Sequence, residues 1–199
     1  SRGGFAIKIG DGPTAAAHRL PDPAALAATV HAVQPRVIVN AGAYTAVDKA
    51  EEEKGLAFAI NAVGAANLAR ALKGVDSVVH LAAEVGVGQS MYEVERYTST
   101  NDVGTAVLFE KLIDNPVRRV VTASSMSIYG EGLYKDADGQ MVEDAERQGI
   151  RDGLKQWDPT DAKGRPLVPV ATPEWKRPNL ASIYALNKFV QERTDRKST

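Results

Sequence analysis

Two stretches about forty residues apart carry the same pattern, and that repeat narrows the fold more than any other feature. Val37-Ile38-Val39-Asn40-Ala41-Gly42-Ala43 resembles Ser77-Val78-Val79-His80-Leu81-Ala82-Ala83. Ile60-Asn61-Ala62-Val63-Gly64 then resembles Thr100-Asn101-Asp102-Val103-Gly104. Each copy reads as a buried β-branched strand, a turn of small residues, and a helix. Two copies are too few for a solenoid. Further strands are expected at Phe5–Ile9 and Val117–Ala123, with a helix from Ala24 to Val33. Asp22 would cap that helix, Pro23 would occupy its first turn, and Pro35 would end it. Helices are also expected over Glu51–Leu72, Tyr92–Ile113 and Ala181–Arg193, with Thr194–Thr199 frayed. Strands alternating with helices predict an α/β fold, a Rossmann-like parallel sheet with helices on both faces.

The pattern lapses between Gly130 and Pro178, where Gly, Pro, Asp and Lys are frequent. This predicts one domain over residues 1–199 with a loop-rich insertion at about 130–179, including a short helix around Asp144–Leu154. Asp136-Ala137-Asp138-Gly139 opens like a calcium loop, but Arg147 stands where a bidentate Glu is needed.

Composition removes several function classes. The formal net charge is −1, so no global field draws the chain to nucleic acid or anionic lipid. No run approaches the length of a membrane span, and the N-terminus lacks a secretory apolar stretch. There are no cysteines, and His18, His31 and His80 stand far apart. Thiolate chemistry is therefore excluded, and a histidine zinc site is not expected. The expectation is a soluble, cytoplasmic, metal-independent protein.

The chemistry concentrates in two places. Tyr184 and Lys188, four apart on the last helix, lie on one face. A neighbouring ammonium favours the phenolate, so Tyr184 is a candidate proton acceptor. By itself such a pair is common on exposed helices. Val120-Val121-Thr122-Ala123-Ser124-Ser125 supplies context: an apolar strand runs into hydroxyls at its carboxyl end. That end is where open parallel sheets bind ligands. A serine there can bond a substrate oxygen while a tyrosine takes its proton, although Ser124-Ser125 alone would equally suit a helix cap.

Leu81-Ala82-Ala83, Asn101 with Gly104-Thr105, Ser124 to Gly130, and Tyr184-x-x-x-Lys188 follow one another in this order. Together they resemble the extended short-chain dehydrogenase/reductases, in the branch of NAD-dependent epimerase/dehydratases of nucleotide sugars. The stretch Lys73 to Arg193 is most similar to a nucleotide-sugar 4-epimerase. The resemblance implies Ser125 as the catalytic hydroxyl and Tyr184 as the base. Lys188 would bind the nicotinamide ribose and tune Tyr184. It implies cofactor contacts at Leu81, Ala82, Ala83, Asn101, Ala123, Tyr184 and Lys188, and substrate contacts at Val85, Ser125 and Tyr184. NAD is the implied cofactor, with NADP as the alternative, and a nucleotide sugar is the implied partner. The earlier stretch, Asp22 to Leu26 and Val37 to Glu51, resembles dTDP-4-dehydrorhamnose reductase. Both resemblances include the same strand–helix unit, which accounts for the repeat.

The sequence also departs from the family. The Gly-rich turn expected after the first strand is replaced by Ile9-Gly10-Asp11-Gly12-Pro13-Thr14-Ala15. Gly86-Val87-Gly88-Gln89-Ser90-Met91 has the wrong ending for that fingerprint and is expected to be a substrate-side loop. The family's C-terminal substrate domain is expected to be absent. Three functions stay open: an NAD-dependent epimerase or dehydratase, an NADPH-dependent reductase, and a catalytically silent Rossmann-like fragment. Sheet edges left by missing strands would favour a homodimer.

Overall fold

The computed structural model describes residues 6–10, 22–41, 55, 63–72, 74–147 and 157–198. The expected readings at Gly10–Ala15 beyond Gly10, at 42–54 and 56–62, and at 148–156 lie outside the described residues. The chain divides into two compact units, residues 1–124 with 182–199, and residues 125–181.

The first unit is built on a parallel sheet in the order β1 (Ala6–Gly10), β2 (Val37–Ala41), β3 (Ser77–His80), β4 (Arg119–Thr122). The two repeat copies are neighbours in it: Val37 pairs with Ser77 and Asn40 with His80. Between the strands run α1 (Pro23–Val33), α2 (Gly64–Arg70) and α5 (Gly104–Asp114). Strand order follows chain order, so right-handed crossovers bring these three helices to one face. The core is on that face. Ile38, Val78, Leu68 and Leu108 are fully buried, packed with Leu26 and Val30 of α1. Each such side chain contributes about 1.5–3 kcal/mol by leaving water. On the opposite face Val37, Val39 and Val79 are half-buried, and Val121 is exposed.

Local chemistry sets the element ends. Asp22 Oδ1 accepts from the amides of Ala24 and Ala25 at 3.0 and 3.1 Å, as its place before Pro23 predicts. Gln34 ends α1 in a left-handed conformation, its N–H bonded to Val30 O at 2.8 Å. Helix α2 is buried from Gly64 to Ala69 because it lies between α1 and α5. Its small residues, Gly64, Ala65, Ala66 and Ala69, permit that close approach.

The expected helix over Tyr92–Ile113 is not uniform. It comprises α4 (Val94–Tyr97), a π-helical turn (Thr98–Val103) and α5. Such turns are rare and frequent at functional sites. Here the turn buries Thr100 and Asn101. The Gly86–Met91 stretch, expected as a loop, contains the short helix α3 (Val87–Ser90). The last helix, α6, extends from Ile183 to Ser198, beyond the expected fraying point at Thr194.

The second unit covers most of the stretch expected to be loop-rich. It holds an antiparallel sheet in the order β6 (Met141–Val142), β5 (Leu133–Lys135), β7 (Val168–Val170). Strands of two and three residues are too short to show a period of two. A small cluster of Tyr134, Ala145 and Leu167 lies against them. Asp136 makes the β5–β6 turn: Oδ1 accepts from the amides of Asp138 and Gln140 at 2.9 and 2.7 Å. Gly139 supplies the positive φ of 84° that this turn needs. The calcium-like spelling is therefore turn chemistry. Asp161 repeats it, accepting from the amides of Lys163 and Arg165 at 2.9 and 2.8 Å. The helix expected from Asp144 is not present over residues 144–147, which are irregular.

Among the described residues no helix is long and apolar enough to cross a membrane, and no cluster of His, Asp and Glu could hold a metal ion.

Candidate active site

Ser182 caps α6, its Oγ accepting from the amide of Ala185 at 3.1 Å. The amide of Tyr184 donates to Ser90 Oγ at 3.0 Å, and Ser90 is fully buried at the end of α3. The first turn of α6 is thus pinned to α3, and the phenol-bearing residue is fixed by its own backbone. Ser124 donates to Glu192, which ties the end of β4 to the middle of α6.

The inner face of α6 is polar. Asn187, Lys188 and Gln191 are 1%, 4% and 1% exposed. Buried polar groups at this density are informative, because each must find a partner. The Lys188 ammonium donates to Gln191 Oε1 at 2.8 Å. Gln191 Nε2 donates to Thr105 Oγ1 on α5 at 2.7 Å. Thr105 Oγ1 lies 3.1 Å from His80 Nε2, and His80 Nδ1 lies 3.2 Å from Asn40 Nδ2. A string of side chains therefore crosses from β2 through β3 and α5 to Lys188. Burial, and then the positive charge of Lys188, push the His80 imidazole down to about 4. Burial likewise holds the Lys188 ammonium below the usual lysine range.

Leu81 and Ala123 continue β3 and β4 at their carboxyl ends. The Leu81 amide bonds Asn40 O at 2.7 Å, and the Ala123 amide bonds His80 O at 3.3 Å. Leu81 is exposed, Ala82 is buried, and Ala83 and Ala123 are half-buried. Val85 is 63% exposed. Asn101 is fully buried and grips the loop after β3 from the π-helical turn. Its Oδ1 accepts from the Glu84 amide at 2.8 Å, and its Nδ2 donates to Glu84 O at 3.1 Å. Arg96 takes the Glu84 carboxylate in a fork, Nε to Oε1 at 3.1 Å and Nη2 to Oε2 at 2.9 Å. Tyr97 holds the next residue, donating from its hydroxyl to Val85 O at 2.8 Å. Leu81 to Val85 is thus a rigid ledge. Ser125 opens the second unit, where its Oγ accepts from the Ser127 amide at 3.2 Å and caps a 3₁₀ turn.

Sequence reasoning missed His80, Thr105, Gln191, Glu84 and Arg96 as a supporting set. One signal was available: Asn187, Lys188 and Gln191 flank Ala185 on the face an ordinary helix would make apolar.

Asp102 adds an anomaly. Its Oδ2 accepts from Asn187 Nδ2 at 2.8 Å, but its Oδ1 and the Oδ1 of Asn187 are buried without partners. Burial raises the Asp102 carboxyl above its usual range, with the Asn187 bond opposing. The folded state favours the protonated acid, so this contribution to stability is present below the ordinary carboxylate range and lost as pH rises through the raised value. Asp102→Asn gives the orphaned position an amide donor that can serve Asn187 Oδ1. It should raise stability at neutral pH by about 1–2 kcal/mol, read from urea midpoints. No gain would mean that solvent already reaches the pair.

Two family models match. Residues 11–85 match the RmlD substrate binding domain, and residues 69–146 match the NAD dependent epimerase/dehydratase family. The chain is 33% identical over 117 residues to a dTDP-L-rhamnose 4-epimerase of Burkholderia thailandensis, covering 58% of this chain and 31% of that protein. It is 35% identical over 118 residues to a dTDP-4-dehydrorhamnose reductase of Salmonella typhimurium, covering 56% of this chain and 40% of that protein. A solved UDP-glucuronic acid 4-epimerase from Bacillus cereus superposes with a TM-score of 0.48 at 17% identity, over 98% of this chain and 52% of that one. The chain therefore spans less than half the length of the two curated relatives. Both resemblances read from the sequence are borne out, each over part of the chain.

Proposed function

We propose that the chain carries the nicotinamide-facing half of an NAD-dependent nucleotide-sugar epimerase or dehydratase site. One observation carries the reading: Tyr184 and Lys188 share a helix pinned at Ser90, and a buried polar string ties Lys188 to the carboxyl ends of β2 and β3. The donor set fits a dinucleotide's ribose. An ammonium has three hydrogens, and among the described residues Gln191 is the one acceptor Lys188 has. The remaining hydrogens can donate to ribose hydroxyls. Leu81, Ala82, Ala83 and Ala123 offer small or exposed positions along the same sheet edge, and Asn101 holds that ledge still.

In this reading Tyr184 accepts the proton of a sugar C4 hydroxyl, and Ser125 is the catalytic hydroxyl that the family resemblance implies. Bound NAD would take up and return the hydride. Lys188 follows Tyr184 by one helical turn on the same helix. Val85, exposed on the ledge, would meet the substrate. The match of residues 11–85 favours a second reading, a reductase that ends with the hydride on the sugar.

Titration with NAD and NADH, followed by heat or fluorescence, tests the proposal, with Lys188→Ala alongside. Saturable binding is expected, weakened about tenfold or more in the variant, the scale for losing a charged hydrogen bond. Absence of binding at millimolar cofactor would overturn it. Return of hydride to the sugar with inversion, against net reduction, separates the two readings.

A further inference from the structure

The string ending at Lys188 has a direction. A lysine ammonium only donates, so Gln191 must present Oε1 to it. Gln191 Nε2 is then turned to Thr105 Oγ1, which must accept. Asn40 presents Nδ2 to His80 Nδ1, so that nitrogen accepts and the proton of the neutral ring sits on Nε2. His80 Nε2–H then donates to Thr105 Oγ1, filling its second lone pair. Turning the Gln191 amide over would set a donor against the ammonium. Asn40, His80, Thr105 and Gln191 are all at most 3% exposed, so water cannot substitute freely.

We propose that Gln191 is a positioning residue: it fixes where the Lys188 ammonium sits, while Thr105, accepting from its Nε2, holds the far end of the amide. This rests on the reading of Lys188 as the ribose-binding cation. Without Gln191 the lysine stem would be free to swing among its rotamers, and a ligand would have to arrest it on binding. Gln191 would thus contribute to affinity without touching the ligand.

The test uses the full chain with Gln191→Met, which keeps the shape and removes both bonds, and Gln191→Glu, which keeps an acceptor on Lys188. Two readouts are taken. The first is the ¹⁵N-detected ammonium resonance of Lys188 without ligand, which is expected to be slow-exchanging in the native chain and in Gln191→Glu and lost in Gln191→Met. The second is the NADH dissociation constant. It is expected to rise about tenfold in Gln191→Met and to return to within about threefold of native in Gln191→Glu. A purely structural glutamine would lower the melting temperature in both variants and leave the dissociation constant unchanged, which overturns the proposal. So does a native-like ammonium resonance in Gln191→Met. Should Gln191→Met fail to fold, Thr105→Val, which leaves Gln191 Nε2 without its acceptor, must weaken NADH binding several-fold, and an unchanged constant overturns the proposal. If the native chain binds no NADH, the ribose reading fails. The ammonium resonance then decides by itself whether Gln191 holds Lys188.

Discussion

Replacing Arg96 with methionine should cost about 3–5 kcal/mol of folding stability, the range for removing one partner of a buried ion pair. Arg96 meets Glu84 through two hydrogen bonds and Glu93 through a third at 2.8 Å. The Glu84 carboxylate is 4% exposed, and the Arg96 side chain 14%. Without the guanidinium, a carboxylate would stay behind in a place water hardly reaches. Asn101 holds the Glu84 backbone on both sides, so the carboxylate could reach solvent only by turning its side chain. Urea unfolding checks the cost, and the double variant Arg96→Met with Glu84→Leu should recover most of it, since the Glu84 carboxylate is then gone and Glu93 keeps its bond from Gln89. A loss under about 1 kcal/mol for the single variant would place the pair with ordinary surface ion pairs. The same substitution should loosen Leu81 to Val85 and, on the proposed reading of that ledge, weaken NAD binding.

Acid should unfold the chain earlier than its surface charges would suggest, and His80 is the reason. The imidazole sits at about 4 in the folded state against 6.5 for an unburied ring. Between those values the unfolded chain binds a proton that the folded chain refuses. The stability His80 contributes is therefore complete above pH 6.5 and lost as pH falls toward 4, amounting to about 3 kcal/mol. Protonation would also place a hydrogen on Nδ1, facing the donor of Asn40, and a second cation near Lys188. Urea midpoints measured from pH 7 to pH 4 should fall steeply. In His80→Gln, which offers Asn40 and Thr105 an amide that does not titrate, the fall should be shallower. Equal slopes in both proteins would show that His80 is not the group responsible. Asp102 acts with the opposite sign over its own range, so Asp102→Asn is the cleaner background for the comparison.

Legibility in the sequence followed how local the physics is. The cap at Asp22, the stop before Pro35 and the β-branched runs at Val37 and Val78 each act within a few residues, and each was readable. So was the Tyr184–Lys188 pair, because one helix carries both. The second unit was not readable, because its strands are too short to carry a period and are held by Asp136 and Asp161 turns that spell like loops. The π-helical turn was hidden as well. Thr98–Val103 has nothing in composition to separate it from a plain helix, and its purpose is visible only when Asn101 reaches Glu84. The string behind Lys188 joins residues 25 and 86 positions apart. No window along the chain could have brought them together.

The chain-order sheet has a consequence for how freely its strands can change. All three crossovers go the same way, so alternate residues of β2 and β3 meet very different surroundings. Ile38, Asn40, Val78 and His80 face packed helices and polar partners, where one methyl group more or less is felt. Val37, Val39, Ser77 and Val79, one step along, are half-buried, and Val121 on β4 is exposed. Drift in this protein should therefore be striped. Odd-numbered positions of β2 and β3 can accept new side chains, including those that a second layer would require. Even-numbered positions keep the identity of the fold.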